Sequence, residues 1–460
     1  MKLFKYLIAS VIMLGSSQVF LAQDDPTSGG GQFVVNPDGV PCLTDEDYVR
    51  INADLEESIS NLETSGLLAS ASSGGGVLFD WPVAQAAGFD YNSTWSISNY
   101  VDHNPASGVL EDYNCGPRTY DTPSGYDHQG LDIFTWPFWW KQVDEEQTHV
   151  VAAADGQIVF KSDGNFDRNC AFNSDFWNAV YVRHSDGSVA WYGHMKDGSL
   201  TTKGVGEFVS QGEYLGVIAS SGNSTGPHLH FEVYDIDNNL IDPYEGPCNG
   251  LNPNTWWASQ KPYINPQINA VLTHTAPPDF GTCPATETTN ESDEFEPFDT
   301  VYLGSYFKDQ QPGTSSFNQL IDPDNNVYFS WTRNFTVFYY ASWWWQSVNL
   351  NDNEGTWIYR VSYNGETVDH EFTVNTLGVN DNELEFVTMA PNPTQSSVRL
   401  QSQQPMTGLK IYDLNGRLLS EQDVNSSMFE LNVSGLQSGM YFVRILGEDG
   451  SAQSLRLIKN

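Results

Sequence analysis

Two short motifs contain the residues of this chain whose types and spacing could do chemistry: His128-x-x-x-Asp132 and, about a hundred positions later, His228-Leu229-His230. Two imidazoles and a carboxylate converging on one point is what a hydrolytic zinc requires, with three protein ligands and a fourth position left for water. Gly130 permits a tight extended bend between His128 and Asp132. Along an extended run from Pro227 to Tyr234, alternation puts His228, His230 and Glu232 on one face and Leu229, Phe231 and Val233 on the other. The apolar triplet seeks a core and so holds the two imidazoles on the opposite side, roughly 7 Å apart. One of them can then ligate a metal while the other works beside it. Trp191-Tyr192-Gly193-His194 ends another predicted strand, paired across Ser185-Asp186-Gly187 with the run Ala179 to His184. His194 is a candidate acid/base group, because an unperturbed imidazole titrates near neutrality. His103, His149, His184, His274 and His370 are read as structural or exposed.

Short strands with Gly- and Asp-rich turns must position these groups, and few helices are suggested between 77 and 285. The expected fold class is therefore mostly β. Residues 1–22 read as a signal peptide: Lys2 and Lys5 precede an apolar run too short to span a bilayer, and Ala22-Gln23 offers a cleavage point. Residues 23–76 read as a pro-segment or linker. They open with Gly-rich coil at Thr27 to Gly31 and continue with one helix that Thr44 can cap and Gly66 can end. That helix carries Tyr48, Ile51, Leu55, Ile59 and Leu62 at helical spacing. Ser72 to Gly76 form a flexible break ahead of the domain that carries the candidate zinc residues, 77–285. A strand-rich, Trp-rich unit follows at 286–378, expected as a β-sandwich accessory domain, and residues 379–460 form a last β unit.

The chain has 20 Lys+Arg against 58 Asp+Glu, a formal charge of −38, which repels nucleic acid and anionic membrane surfaces. No segment after the signal peptide is apolar enough to cross a membrane, so stable membrane insertion is not expected. Export permits disulfides. We expect Cys115 to pair with Cys170, since both lie in polar loops near the proposed metal segment, and Cys248 with Cys283. Cys42 is left over. It is open to an intermolecular or alternative disulfide, or to ligating the metal and keeping a precursor latent, since thiolate binds zinc well.

The stretch from Tyr126 to Tyr234 resembles the lysostaphin-type, LytM-like zinc endopeptidases. The resemblance rests on Tyr-Asp-His-Gln-Gly-Leu-Asp (126–132), Val-Ala-Ala-Ala-Asp-Gly (151–156), Tyr-Gly-His-Met (192–195) and Ser-Ser-Gly-Asn-Ser-Thr-Gly-Pro-His-Leu-His-Phe-Glu-Val (220–233). It implies an antiparallel β catalytic domain with the site in a groove. It also implies one Zn2+ on His128, Asp132 and His230, with His194 and His228 as the catalytic pair. Two departures bear on the substrate: the aromatic run Phe134 to Lys141, which could line the groove or pack against an inserted loop, and an insertion at 163–173 carrying Cys170. The C-terminal unit resembles the sorting domain of type IX secretion substrates of Bacteroidetes. The matching residues are Pro391-Asn392-Pro393, Lys410 to Gly416, Ser438 to Phe442 and the basic end Arg456 to Lys459. Together these resemblances imply a secreted or surface enzyme that uses the type IX machinery and cuts peptidoglycan cross-links. Cleavage of Gly-rich extracellular proteins and an inactive wall-binding scaffold are the alternatives.

Overall fold

The computed structural model describes residues 27–35, 41–71, 76–122, 125–171, 173–283, 285–375, 387–414, 417–447 and 452–460. The expected signal peptide, most of the break at 72–76 and Asn415-Gly416 at the end of the Lys410 to Gly416 stretch lie outside them. Two units are formed, one running to Val374 and one from Asn375 to the end. Both are β-rich with antiparallel sheets.

The central sheet of the first unit has eight strands. Seven lie in the order Trp95–Asn99, Leu131–Thr135, His228–Tyr234, Val189–Gly193, Ala179–His184, Gly156–Ser162, Phe208–Val209, and Leu240–Ile241 pairs with His228–Tyr234. All these pairings are antiparallel. One face of the sheet buries Leu229, Phe231 and Val233 with Ile133, Val180, Val182 and Tyr192, as the alternation of the central strand requires.

The other face is covered by the segment preceding the domain. The helix Asp45–Thr64 begins with a reciprocal capping box, in which the Thr44 side chain accepts from the Asp47 N–H and the Asp47 carboxylate accepts from the Thr44 N–H. Such a cap contributes about 1 kcal/mol. Ile51, Leu55 and Leu62 are buried against Val159, Tyr181, Trp191 and Tyr234. Each of those aliphatic side chains contributes roughly 1.5–3 kcal/mol by burial. The helix is thus an integral layer of the catalytic unit.

The Gly-rich start is where the expectation of coil fails. Ser28–Gln32 is a strand, paired antiparallel with Tyr339–Asn349 so that Gly29, Gly30 and Gly31 lie opposite Trp345, Trp344 and Trp343. A Cβ at Gly29 would sit 2.7 Å from the Trp345 indole, and one at Gly30 2.2 Å from the Trp343 carbonyl oxygen. Glycine is therefore demanded by close approach to a bulky strand, and the sequence alone reads it as flexibility. Phe33 then packs on Trp136 and Trp139.

Ser28–Gln32 is the edge of a four-stranded sheet continuing through Tyr339–Asn349 and Thr300–Gln310 to Gln267–His274. This sheet faces a five-stranded one over a core that includes Phe307, Trp357, Tyr359 and Phe372. The sandwich thus already includes Gln267–His274, ahead of the boundary expected at 285. The disulfides also differ from expectation: Cys115 joins Cys248, and Cys170 joins Cys283, with Cα atoms 5.2 and 5.7 Å apart. Proximity within the polar loops was a poor guide, because the folded sheet brings each loop to a partner more than a hundred residues away. The second unit is a five-stranded sheet around Val398, Leu400, Leu409, Val443, Ile445 and Leu457. Among the described residues no helix is long and apolar enough to cross a membrane.

His274, inside the sandwich, supplies a test. Its Nδ1 contacts the Thr289 carbonyl at 2.8 Å, and its Nε2 lies 2.9 Å from the Tyr306 hydroxyl. The ring is satisfied as a neutral imidazole, and burial pushes its pKa down to about 3. The unfolded chain binds a proton here below about pH 6.5, whereas the folded chain does not until about pH 3. Stability from this site is therefore full above pH 6.5 and falls as pH drops from 6.5 towards 3. Urea denaturation at pH 7 and pH 5 should show a smaller acid loss for His274→Gln than for the parent chain.

Candidate metal centre

The antiparallel register assembles the site. His230 lies directly opposite Asp132 on one neighbouring strand and opposite Gly193, the residue before His194, on the other. Directly opposed side chains have Cβ atoms about 5 Å apart, so backbone pairing alone brings an imidazole to the Asp132 carboxylate. His230 Nδ1 is 2.9 Å from Asp132 Oδ1, and His128 Nε2 makes an ion-pair contact of 3.1 Å with Asp132 Oδ2. His128, Asp132, His194 and His230 are almost completely buried, and His228 is 7% exposed.

Every imidazole has one ring nitrogen held from behind. His128 Nδ1 contacts the Tyr100 carbonyl at 2.7 Å, His194 Nδ1 the Ser221 carbonyl at 2.6 Å, and His228 Nδ1 the Gly226 carbonyl at 2.8 Å. Carbonyls only accept, so these three rings carry a proton on Nδ1 and turn Nε2 towards a common centre. His230 is turned the other way: its Nε2 donates to Glu232 at 2.8 Å, which leaves Nδ1 towards Asp132. The Tyr234 hydroxyl donates to Glu232 Oε1 and the Tyr48 hydroxyl, 3.2 Å away, to Oε2. Carboxylate or carbonyl support behind a ligating imidazole is the usual arrangement in metal sites.

Asn99 Nδ2 donates to Asp132 Oδ2 at 3.0 Å, and Tyr120 stacks on His128 with ring centroids 4.5 Å apart. Gly130 is needed for a reason the sequence does not show: a Cβ there would lie 2.5 Å from His230 Cε1.

The electrostatics follow from packing charges together without water. Burial disfavours the Asp132 anion, but His128 and His228 outweigh it and hold the carboxyl well below its ordinary range. Burial opposes the charged form of His128, yet Asp132 prevails and raises it to about 9. Burial and the neighbouring His228 keep His194 below its usual value. For His228, burial is overcome by Asp132 and the pKa rises. The buried Nε2 of His194 has no hydrogen-bond partner among the described residues, and that of His128 faces the Asp132 carboxylate. Buried polar atoms rarely stay unpaired. The donor set fits a cation: ligand atoms of His128, Asp132 and His230 all lie within 4.8 Å of one another.

The structure thus brings together all five candidate residues from the sequence: His128, Asp132 and His230 at one vertex, His194 and His228 beside it with ring centroids 4.4 Å apart. His184 faces Phe79 and the Asp155 carbonyl instead. The aromatics Trp136, Phe138 and Trp140 are buried against the sandwich and the inserted loop, and Phe134, also buried, forms part of the wall of a cavity that Phe33 to Val35 flank. Glu232 was legible on the histidine face of the strand but carried no signal for its supporting role. Asn99 and Tyr120 carried none at all.

Residues 127–243 match the model of Peptidase family M23, and residues 388–460 match that of the Secretion system C-terminal sorting domain. The chain therefore carries an M23 metallopeptidase domain of the LytM type, followed by a type IX sorting domain that marks it for export to the cell surface or beyond. It is 38% identical over 86 residues to the DD-carboxypeptidase/endopeptidase Mpg of Neisseria meningitidis serogroup B, covering 19% of this chain and 17% of that one. Over 85 residues it is 39% identical to the peptidoglycan DD-endopeptidase ShyC of Vibrio cholerae serotype O1, covering 18% of this chain and 17% of that one. The chain thus spans about a sixth of the length of these relatives. Among solved structures, the catalytic domain of lysostaphin from Staphylococcus simulans is 23% identical, with 35% of this chain and 96% of that chain covered and a TM-score of 0.20.

Gly130→Ala should force the His230 ring aside. We expect a loss of about 1–3 kcal/mol in urea denaturation, the usual cost of overpacking, at a position where exposed-glycine replacement would be neutral.

Proposed function

We propose that the protein is an exported zinc endopeptidase that hydrolyses peptide cross-links of bacterial peptidoglycan. The observation that carries this reading is the strand register that sets His230 against Asp132, with His128 Nε2 completing a three-donor set. Two imidazoles and one carboxylate suit Zn2+, and a fourth position belongs to water in a hydrolytic site. When bound, the ion would acidify a water molecule and polarise the scissile carbonyl.

The remaining work falls to this chain's own residues. His194 Nδ1–H is fixed on the Ser221 carbonyl, so Nε2 is free to take a proton from the attacking water and return it to the leaving nitrogen. Surroundings that keep His194 neutral suit it to this task. His228, whose surroundings favour its charged form, can donate from Nε2 to the oxygen that becomes negative as the carbonyl is attacked. Glu232 fixes the orientation of His230. The peptidoglycan substrate is supported by the printed activities of the relatives from Neisseria and Vibrio. The sorting domain supports passage through the type IX machinery.

His230→Ala should lose both bound metal, read by atomic emission, and release of peptides from purified peptidoglycan, read by mass spectrometry. His194→Ala should keep its metal and lose turnover by about 10²–10⁴-fold. Retained turnover would exclude His194 as the proton carrier. Glu232→Ala should weaken metal affinity by about 10–100-fold in chelator competition.

A further inference from the structure

The centre described above has one more donor than a hydrolytic site needs. Cys42, from the segment ahead of the catalytic domain, is a free cysteine and almost wholly buried. Its Sγ lies 3.4 Å from His228 Nε2 and 3.8 and 3.9 Å from the two Asp132 oxygens. Its ligating atom belongs both to the cluster with His128, Asp132 and His230 and to the cluster with His194 and His228. A buried cysteine ordinarily behaves as a small apolar group. This one is surrounded by imidazoles, a carboxylate and a phenol, and the His194 imidazole beside it presents a buried Nε2 without a hydrogen-bond partner among the described residues.

We infer that Cys42 is the fourth ligand of the metal in a latent form of the enzyme, and that residues 27–35 and 41–71 act as a built-in inhibitor. The inference rests on the metal centre proposed above. A tetrahedral site with His128, Asp132, His230 and the Cys42 thiolate is closed, as structural zinc sites are, and leaves no position for water. Ligation releases the thiol proton to solvent, and no bond of the chain is made or broken. Sγ is also in contact with His228, so the same atom stands where a scissile peptide would have to meet the catalytic pair.

The surrounding segment is built to keep the thiol there. The Cys42 N–H donates to the Tyr120 hydroxyl at 3.0 Å, and that hydroxyl contacts Sγ at 3.2 Å. Asn223 Nδ2 donates to the Pro41 carbonyl, Leu43 is buried among Trp177, Tyr181 and Trp191, and Tyr48 reaches Glu232. Phe33, Val34 and Val35 wall a cavity of about 340 Å³ whose other side includes Asn99, Tyr120 and Phe134, next to the centre. The segment and the catalytic sheet therefore share one core, so freeing the centre means displacing the segment that carries Cys42 and not merely rotating a side chain.

The test is X-ray absorption at the zinc edge on the full, disulfide-bonded chain loaded with one equivalent of zinc. We expect one sulfur scatterer at about 2.3 Å, absent from Cys42→Ser. Labelling with a thiol reagent should be blocked by zinc and restored by a chelator. Proteolytic removal of residues ahead of Val77 should abolish the sulfur signal and bring peptidoglycan cleavage from none to measurable. Stoichiometric zinc with only nitrogen and oxygen neighbours in the parent chain would overturn the inference and leave the metal centre standing. Failure of the parent chain to retain zinc at all would overturn both. The parent spectrum decides between these results even if Cys42→Ser does not fold.

Discussion

The pairing of His228–Tyr234 between Leu131–Thr135 and Val189–Gly193 is the constraint on which the rest of the structure depends. It places residues from three distant parts of the chain at one height on one face of a sheet. A shift of one residue would carry His230 to the apolar face and Leu229 to the polar one, so the register cannot slip without exchanging core for site. Leu229, Phe231 and Val233, fully buried on the far side, are what hold it. The chemistry of the even-numbered residues is thus specified by the hydrophobicity of the odd-numbered ones.

A second constraint is electrostatic. A buried carboxylate amid four imidazoles is tolerable only if each ring's second nitrogen is satisfied from behind. Tyr100, Ser221 and Gly226 provide backbone carbonyls for three rings, and Glu232 a carboxylate for the fourth. His194 is held in left-handed backbone with φ 61°, a conformation unusual for a residue with a Cβ. Its anchoring to Ser221 and its contact with Trp177 explain why that strain persists.

How much of this could be read from the amino acids depends on whether the interaction was local. The period-two pattern of Pro227 to Tyr234 and the turn Ser185-Asp186-Gly187 report on neighbours along the chain, and both elements form as expected. The helix signals at Thr44 and Asp47 are equally local. The disulfides and the Gly29-Gly30 strand depend on partners far away in sequence, and there the expectations fail, while the aromatics of 134–141 left groove lining and packing open until distant partners were seen against them. Glycine is the clearest case. Freedom of the backbone and close approach of a neighbour both select it, and only coordinates tell the Trp345 indole over Gly29 from an open linker.

The layer formed by residues 27–35 and 41–71 bears on how such an enzyme can be made safely. A hydrolytic centre needs an accessible fourth position, yet every group here is buried, and the cover is drawn from the chain's own N-terminal segment. Covering by apolar contact alone would leave the polar centre desolvated and unmatched, at a cost of several kcal/mol per unpaired group. A thiol is small enough to enter, loses its proton readily beside imidazolium, and offers no hydrolysable bond. Burial and the Asp132 charge push the Cys42 thiol up, but His228, His128 and His194 outweigh them and hold it well below the usual thiol range. The same imidazoles that would serve catalysis therefore stabilise the anion that blocks it, so the inhibited state needs no polar residues beyond those the active enzyme already has.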